Sequence, residues 1–189
     1  MLNNQRKISI AVSGKPGSGK TTYAKFISES FGLHYVSNGM IFRNIAEEKG
    51  INFLELHRLA EVDESIDLEV DKRALEEAKK GGVVIDGHLA VWILRNVADL
   101  KILFTAPAEV RAQRIANREQ KRLEEVMTEV KTREESNKLR ALKYYGVDID
   151  DYSIADIVIN TATLDVEGIK KVVSCFIKEY LRLNPSKSP

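Results

Sequence analysis

A chain of 189 residues fits one domain with a sizeable core and leaves no room for two full ones. With 43% hydrophobic and 30% charged residues it falls outside the disordered class, and no apolar run approaches the roughly 18 residues of a membrane span. The 29 Lys and Arg against 28 Asp and Glu leave a net charge of +1, so a nucleic-acid binder driven by a whole-molecule field is excluded and any phosphate chemistry must rest on local charge.

The first predicted element is a strand over residues 7–13 (KISIAVS), which alternates, carries β-branched residues and runs straight into glycines. A helix follows over 21–31, a short strand over 33–37, and helices over 42–49 and 67–80, each helix marked by apolar residues at three- and four-residue spacing. Val83–Asp86 (VVID) and Leu100–Thr105 (LKILFT) read as buried strands, 107–118 as a helix, 156–160 (DIVIN) as a strand and Val166–Leu183 as the last helix. Strands alternating with helices imply a parallel sheet covered on both faces, hence an α/β fold. Residues 184–189 (NPSKSP) read as a disordered tail. The single Cys175 excludes an internal disulfide framework, and its neighbours Val172, Val173 and Phe176 predict a packed thiol. The polar start before an apolar run too short for a signal-peptide core adds to the expectation of a reducing cytoplasm.

Gly14-Lys15-Pro16-Gly17-Ser18-Gly19-Lys20-Thr21 fits G-x-x-x-x-G-K-[ST] directly after a strand and before a helix, the context in which such a loop binds phosphate. Glycines let backbone N–H groups turn inward, the helix offers its positive end, Lys20 can reach the β- and γ-phosphates, and the Thr21 hydroxyl can hold Mg²⁺. Asp86 ends a strand before Gly87, at the sheet edge where open α/β sheets bind ligands, and is assigned to the Mg²⁺ shell through water. Arg111, Arg114 and Arg118 stand at i, i+3, i+7, and Arg133 and Arg140 are seven apart on a later helix. Two such stripes can converge on a transferring phosphoryl group, which requires fixed positive donors and little covalent chemistry. Charge is uneven: residues 61–71 hold six acidic side chains and no basic one, whereas 111–140 hold nine Lys or Arg against six Glu.

From residue 8 to 181 the chain resembles the nucleoside monophosphate kinases, and among them the archaeal-type cytidylate kinases. The resemblance is carried by SGKPGSGKTT (13–22), SNGMIFRNIAEEKG (37–50), LAEVDESIDLEVDKR (59–73), VVIDGHLAVW (83–92), APAEVRAQRIANRE (106–119) and REESNKLRALKYYGVDIDDYSIADIVINT (133–161). It implies a P-loop NTPase fold with a central five-stranded parallel sheet flanked by helices, an acceptor-binding segment near 37–73 and a small lid near 115–145, all within one domain over 1–183. By the same resemblance Thr22 joins the ATP loop, and Arg43 holds the acceptor phosphate. Ser37, Gly39, Asp86, Gly87 and His88 line the acceptor site, and Asp67, Asp71 and Arg73 recognise its base. Arg114, Arg118, Arg133 and Arg140 are then lid and catalytic arginines beside Lys20. Spacing alone offers Arg73 a surface pair with Glu69. Met40, Ala74 and His88 depart from the family pattern around the acceptor.

The expected reaction is transfer of the γ-phosphoryl group of ATP, with Mg²⁺, to CMP or dCMP by a monomer acting on free nucleotides, with no nucleic-acid or membrane partner. Another small acceptor (AMP, UMP or a hydroxylated metabolite) and a slow nucleotide-dependent switch or assembly factor are the alternatives. His34 and His57 read as structural or solvated. Trp92, Tyr144 and Tyr145 read as core or helix-end packing and receive no site.

Overall fold

The computed structural model describes residues 6–189, except the side chains of Arg6, His57 and Arg133. In chain order the elements are β1 (Arg6–Lys7), β2 (Ser9–Ser13), α1 (Lys20–Phe31), β3 (His34–Ser37), α2 (Asn38–Glu48), α3 (Phe53–Val62), α4 (Glu64–Lys80), β4 (Val83–Asp86), α5 (Ala90–Ile93), β5 (Leu100–Thr105), α6 (Ala108–Glu119), α7 (Leu123–Tyr145), β6 (Ile157–Asn160), α8 (Val166–Leu183) and β7 (Lys187–Ser188). Five strands form one parallel sheet, as expected from the sequence, and their order is β3-β4-β2-β5-β6. The chain is thus an α/β fold.

β2 lies at the centre of the sheet and is buried along its whole length, so both of its faces must be covered. Ile8, Ile10 and Val12 pack with Tyr23, Ala24 and Ile27 of α1 and with Ile169, Val173 and Ile177 of α8. Ala11 instead faces the opposite layer, built from α2, α3, α4 and α5. The same alternation sends Val84 of β4 toward α1 and Ile85 away from it, which leaves Asp86 on the α1 side. Phe104 is fully buried and stacks on Tyr23, ring centroids 4.8 Å apart, pinning the first turns of α1 to β5. A third, separate cluster joins Ala112, Ile115 and Ala116 of α6 to Val126 and Val130 of α7.

Several boundaries differ from the sequence expectation. α2 begins four residues earlier than predicted because Ser37 caps it, its hydroxyl accepting from the Met40 amide at 3.2 Å. α4 begins at Glu64 under an Asp63 cap, and α3 was not predicted at all. Cys175 is exposed rather than packed, since Val173 and Ile177 take the buried face of α8. The tail is not a free end: Lys187 and Ser188 pair in parallel with Arg6 and Lys7, and the Ser188 carbonyl accepts from the Ile8 amide at 2.7 Å. Asp99 ties these ends to the sheet, accepting from the Ser9 amide at 2.9 Å and from the Lys187 ammonium at 2.5 Å. Among the described residues no helix is long and apolar enough to cross a membrane.

Asp99→Ala would orphan the fully buried Ser9 amide, so stability should fall by about 1–3 kcal/mol. An unchanged urea midpoint would show that this carboxylate does not hold the ends of the chain.

Candidate active site

The loop from Gly14 to Gly19 connects β2 to α1 and lies against other backbone. A Cβ on Gly14 would sit 2.5 Å from the Phe104 carbonyl oxygen, and one on Gly17, at φ +80°, would sit 2.5 Å from the Arg111 carbonyl oxygen. Only glycine permits both approaches. Gly19 is left-handed and gives α1 no side-chain cap, which leaves the first-turn amides of that helix available to an anion.

Three elements then fix the charged groups around this loop. Lys20 opens α1, its ammonium 4.0 Å from Asp86 Oδ1. Asp86 Oδ2 accepts from the Thr21 hydroxyl at 2.7 Å and from the Tyr35 hydroxyl at 2.9 Å. Burial and the neighbouring Asp86 charge push the Tyr35 phenol well above its ordinary range, so it stays a donor. Asp86 Oδ1 is buried and has no hydrogen-bond partner among the described residues. One bare carboxylate oxygen and one hydroxyl suit Mg²⁺, which takes few protein ligands and keeps waters and substrate phosphates, while the glycine cradle offers its amides to those phosphates. The residues therefore fit a metal–nucleotide complex. Among the described residues no group of three or more His, Cys, Asp or Glu suggests any other metal site. Ser13 secures the turn after Asp86, donating to the Gly87 carbonyl at 2.8 Å and accepting from the Val91 amide at 3.0 Å.

The arginines divide into two groups. Arg111 is buried and donates to the carbonyls of Pro16 at 3.2 Å and Ala106 at 3.0 Å, and to Glu134. Arg114 donates to the Gly17 carbonyl at 3.3 Å and to Thr161, at 2.8 Å to the hydroxyl and 2.9 Å to the carbonyl. Thr161 Oγ1 in turn donates to the Ser18 carbonyl at 2.9 Å. These two arginines brace the outer wall of the loop, and in this conformation Arg114 has turned its donors to the protein. Arg118, by contrast, is solvent-exposed and pairs with Glu119 at 2.6 Å. Arg140 reaches Asp67 at 2.7 Å and Asn137 at 2.7 Å. Arg133 lies in α7, but its side chain, and with it the assigned role, lies outside the described residues. Lys15 turns out of the loop to Asp150 at 2.8 Å, while Thr22 is exposed on α1.

Between α2, α3, α4 and α7 opens a cleft of about 1290 Å³. Gly39, Asp67, Asp71 and His88, four of the residues expected at the acceptor, line it together with Arg140, expected in the lid. His88 joins the two halves, with Nδ1 3.3 Å from the Gly14 carbonyl oxygen, an arrangement in which that nitrogen donates. Arg43 is exposed, its guanidinium 5.1 Å from the ring of Phe53, a wall of the cleft. Arg73 does not enter the cleft. It is clamped between Glu48, at 2.7 Å from both terminal nitrogens, and Glu69 at 2.8 Å. Two residues beyond Asp71 on a helix it faces another way, which corrects its assignment to base recognition.

Two cleft groups escaped the sequence reading. Tyr145, read as packing, donates its hydroxyl to Asp71 Oδ2, and Asn38 donates to Asp71 Oδ1 at 3.4 Å. Asn38 Oδ1 is buried and has no hydrogen-bond partner among the described residues. The only signal for either was its place inside the resembling strings, since a tyrosine at a helix end has no periodicity of its own. Burial pushes the Asp71 carboxyl up to about 6, assisted by the Asp67 charge and opposed by Tyr145, Asn38 and Arg140.

A carboxyl whose folded pKa is raised opposes folding when ionised. The penalty is absent below about pH 4, grows as pH rises toward 6 and is complete above that. Asp71→Asn should therefore exceed the native chain in stability by roughly 1–3 kcal/mol at neutral pH, with the gain shrinking toward about pH 4. Urea midpoints across that range test this, and a gain that grows as pH falls would contradict the assigned direction.

A model of the cytidylate kinase-like family matches residues 9–163. The cytidylate kinase of Staphylothermus marinus is 50% identical over 175 residues, covering 93% of this chain and 99% of that one. Among solved structures, an uncharacterized protein from Eubacterium ventriosum superposes with a TM-score of 0.71 at 19% identity, over 91% of this chain and 99% of that one. Shikimate kinase from Bacteroides thetaiotaomicron does so with a TM-score of 0.62 at 16% identity, over 93% and 98% of the two chains. The two structures agree with a P-loop kinase fold, and the sequence match sets the family: the chain belongs to the cytidylate kinase-like family.

Proposed function

We infer that this protein transfers the γ-phosphoryl group of ATP to CMP or dCMP, releasing ADP and CDP or dCDP. The observation that carries the reading is the identity of half the aligned residues with a protein named cytidylate kinase, over nearly the full length of both chains. The geometry supports it, because a phosphate loop and a large cleft lined by charged and apolar side chains adjoin at His88. The switch or assembly-factor alternative is not favoured, because the relatives aligned over most of this chain are named cytidylate kinase. The reading includes a cytoplasmic monomer acting on free nucleotides, with an acceptor segment over 37–73 and a lid over 115–145.

In this reading the loop amides and Lys20 bind the ATP phosphates, with Gly14 and Gly17 allowing the backbone to close around them. Mg²⁺, when bound, neutralises developing charge on the phosphate oxygens. Thr21 would hold it directly and Asp86 through water. Arg111 and Arg114 keep the loop in shape. Arg118, Arg133 and Arg140 sit on the segment assigned as lid. Arg140 would exchange its exposed Asp67 partner for phosphate on closure, a swap of low cost because such exposed pairs contribute only about 0–1 kcal/mol. Ser37 fixes the start of α2 and so the placement of Gly39, with Arg43 on the same helix toward the acceptor phosphate. Cytosine offers an N4 amino donor beside the N3 and O2 acceptors, and Asp71 with Asn38 offers both an acceptor and a donor on the cleft wall. Uracil reverses the pattern at positions 3 and 4.

ADP release from ATP, measured with CMP, dCMP, UMP, AMP, GMP and no acceptor, tests the reading. CMP or dCMP should stimulate most, and stimulation by none of them would refute it. Lys20→Met should lower kcat by about 100-fold or more, since this partly buried cation at the start of α1 is placed to act on bound phosphate. Asp71→Asn should erode the preference for CMP over UMP, a buried mismatch being worth about 1–3 kcal/mol, whereas Arg73→Ala should leave it intact. A selectivity loss in Arg73→Ala equal to that in Asp71→Asn would restore the residue to the base site.

A further inference from the structure

Asp86 is a buried carboxylate beside the phosphate loop, and its two oxygens stand in different environments. Oδ2 is saturated by two hydroxyl donors, Thr21 at 2.7 Å from α1 and Tyr35 at 2.9 Å from β3. Oδ1 is buried and bare, turned to the Lys20 side at 4.0 Å. A carboxylate rotates about its last side-chain bond, and its two ends are chemically equivalent. Which oxygen remains bare is decided by where the donors are.

The donor from β3 has a geometric requirement. In the parallel register Ser37 stands opposite Asp86 and Tyr35 opposite Val84, two residues back. Those two residues span about 6.6 Å of strand. Serine or threonine at position 35 would fall short of that span, and phenylalanine would cross it without a donor. The tyrosine ring packs with the α1–α8 cluster, but packing accounts for the ring alone and leaves the hydroxyl unexplained.

We propose that Tyr35 is a positioning residue for metal-bound nucleotide, fixing Asp86 so that its bare oxygen faces the water shell of a divalent cation on ATP. Thr21 can donate to Oδ2 and still offer a lone pair to the cation, but a single donor leaves the carboxylate free to pivot about that one bond, and the second donor, from Tyr35, fixes its rotation. Tyr35 touches neither metal nor nucleotide in this scheme, and acts only through the carboxylate. Outer-shell donors of this kind typically contribute 10–100-fold to metal affinity. The proposal rests on the ATP reading above and is independent of the acceptor.

The test uses the full chain, ATP and Mn²⁺ without CMP. ATP affinity is titrated in the presence of chelator and again in Mn²⁺, and water-proton relaxation of Mn²⁺ follows the ternary complex. Tyr35→Phe should bind metal-free ATP within about twofold of the native chain, while the tightening produced by Mn²⁺ should fall by about tenfold or more. Tyr35→Leu, which keeps an apolar side chain without the ring, should show the same selective loss even if its thermal midpoint is lower. Full Mn²⁺-dependent tightening in Tyr35→Phe overturns the proposal, and so does an equal loss of metal-free and metal-bound affinity, which would make the contact a matter of loop integrity. Absence of metal-dependent ATP binding in the native chain would overturn the ATP reading together with the proposal.

Discussion

The phosphate loop holds its place by backbone lying on backbone. Gly14 meets the Phe104 carbonyl and Gly17 meets the Arg111 carbonyl at distances no Cβ allows, so the turn is pressed directly against the end of β5 and the first turns of α6. Everything charged in the site is arranged around that contact. Arg111 and Arg114 reach the loop carbonyls from the outside, and Thr161 at the end of β6 ties Ser18 and Arg114 together. Buried charge-assisted hydrogen bonds of this type are worth more than exposed ion pairs, and their partners are backbone atoms that cannot rotate away. The result is a rigid cradle on a rigid sheet.

The second half of the site is held much more loosely. Six acidic residues gather at the start of α4 and its approach, and the basic α7 lies across from them, joined by Arg140 to Asp67 and by Lys143 to Glu64 at 3.6 Å. Both pairs are solvent-exposed and contribute little each. The first half of α7 shares a small apolar cluster with α6, whereas Ala141 near its end joins the main core. α7 is therefore packed at both ends, against α6 at its start and the main core near its end, and only its face toward α4 is held by exposed ion pairs.

Function is also visible as stability forgone. Asp86 Oδ1, Ser18 Oγ and Asn38 Oδ1 are buried without hydrogen-bond partners among the described residues, and the Asp71 carboxyl is pushed up by burial. Such groups normally cost on the order of 1–3 kcal/mol each. They line the loop or the cleft, where a phosphate, a metal's water or a base edge can supply the missing partner. The same atoms that weaken the empty protein are those a ligand would engage.

The sequence by itself determined the α/β class, the five parallel strands and the phosphate loop. Those features follow from local rules: hydrophobic period, β-branched runs, and glycines spaced for backbone amides to turn inward. Lys20, Thr21 and Asp86 were legible for the same reason, since each sits at a fixed offset from a strand end. Tertiary structure decided which long side chains share a space. Arg73 and Asp71 are two residues apart on one helix, yet the helix turn sends one into the cleft and the other to Glu48 and Glu69. Tyr35 and Tyr145 have no motif of their own, and their hydroxyls acquire roles only because Asp86 and Asp71, 51 and 74 residues away in sequence, lie within reach. The tail looked free because its composition is polar, but composition cannot reveal that β1 leaves a parallel partner's place beside Asp99. Local periodicity fixes elements, whereas hydrogen-bond partners far apart in the chain are set by how those elements stack.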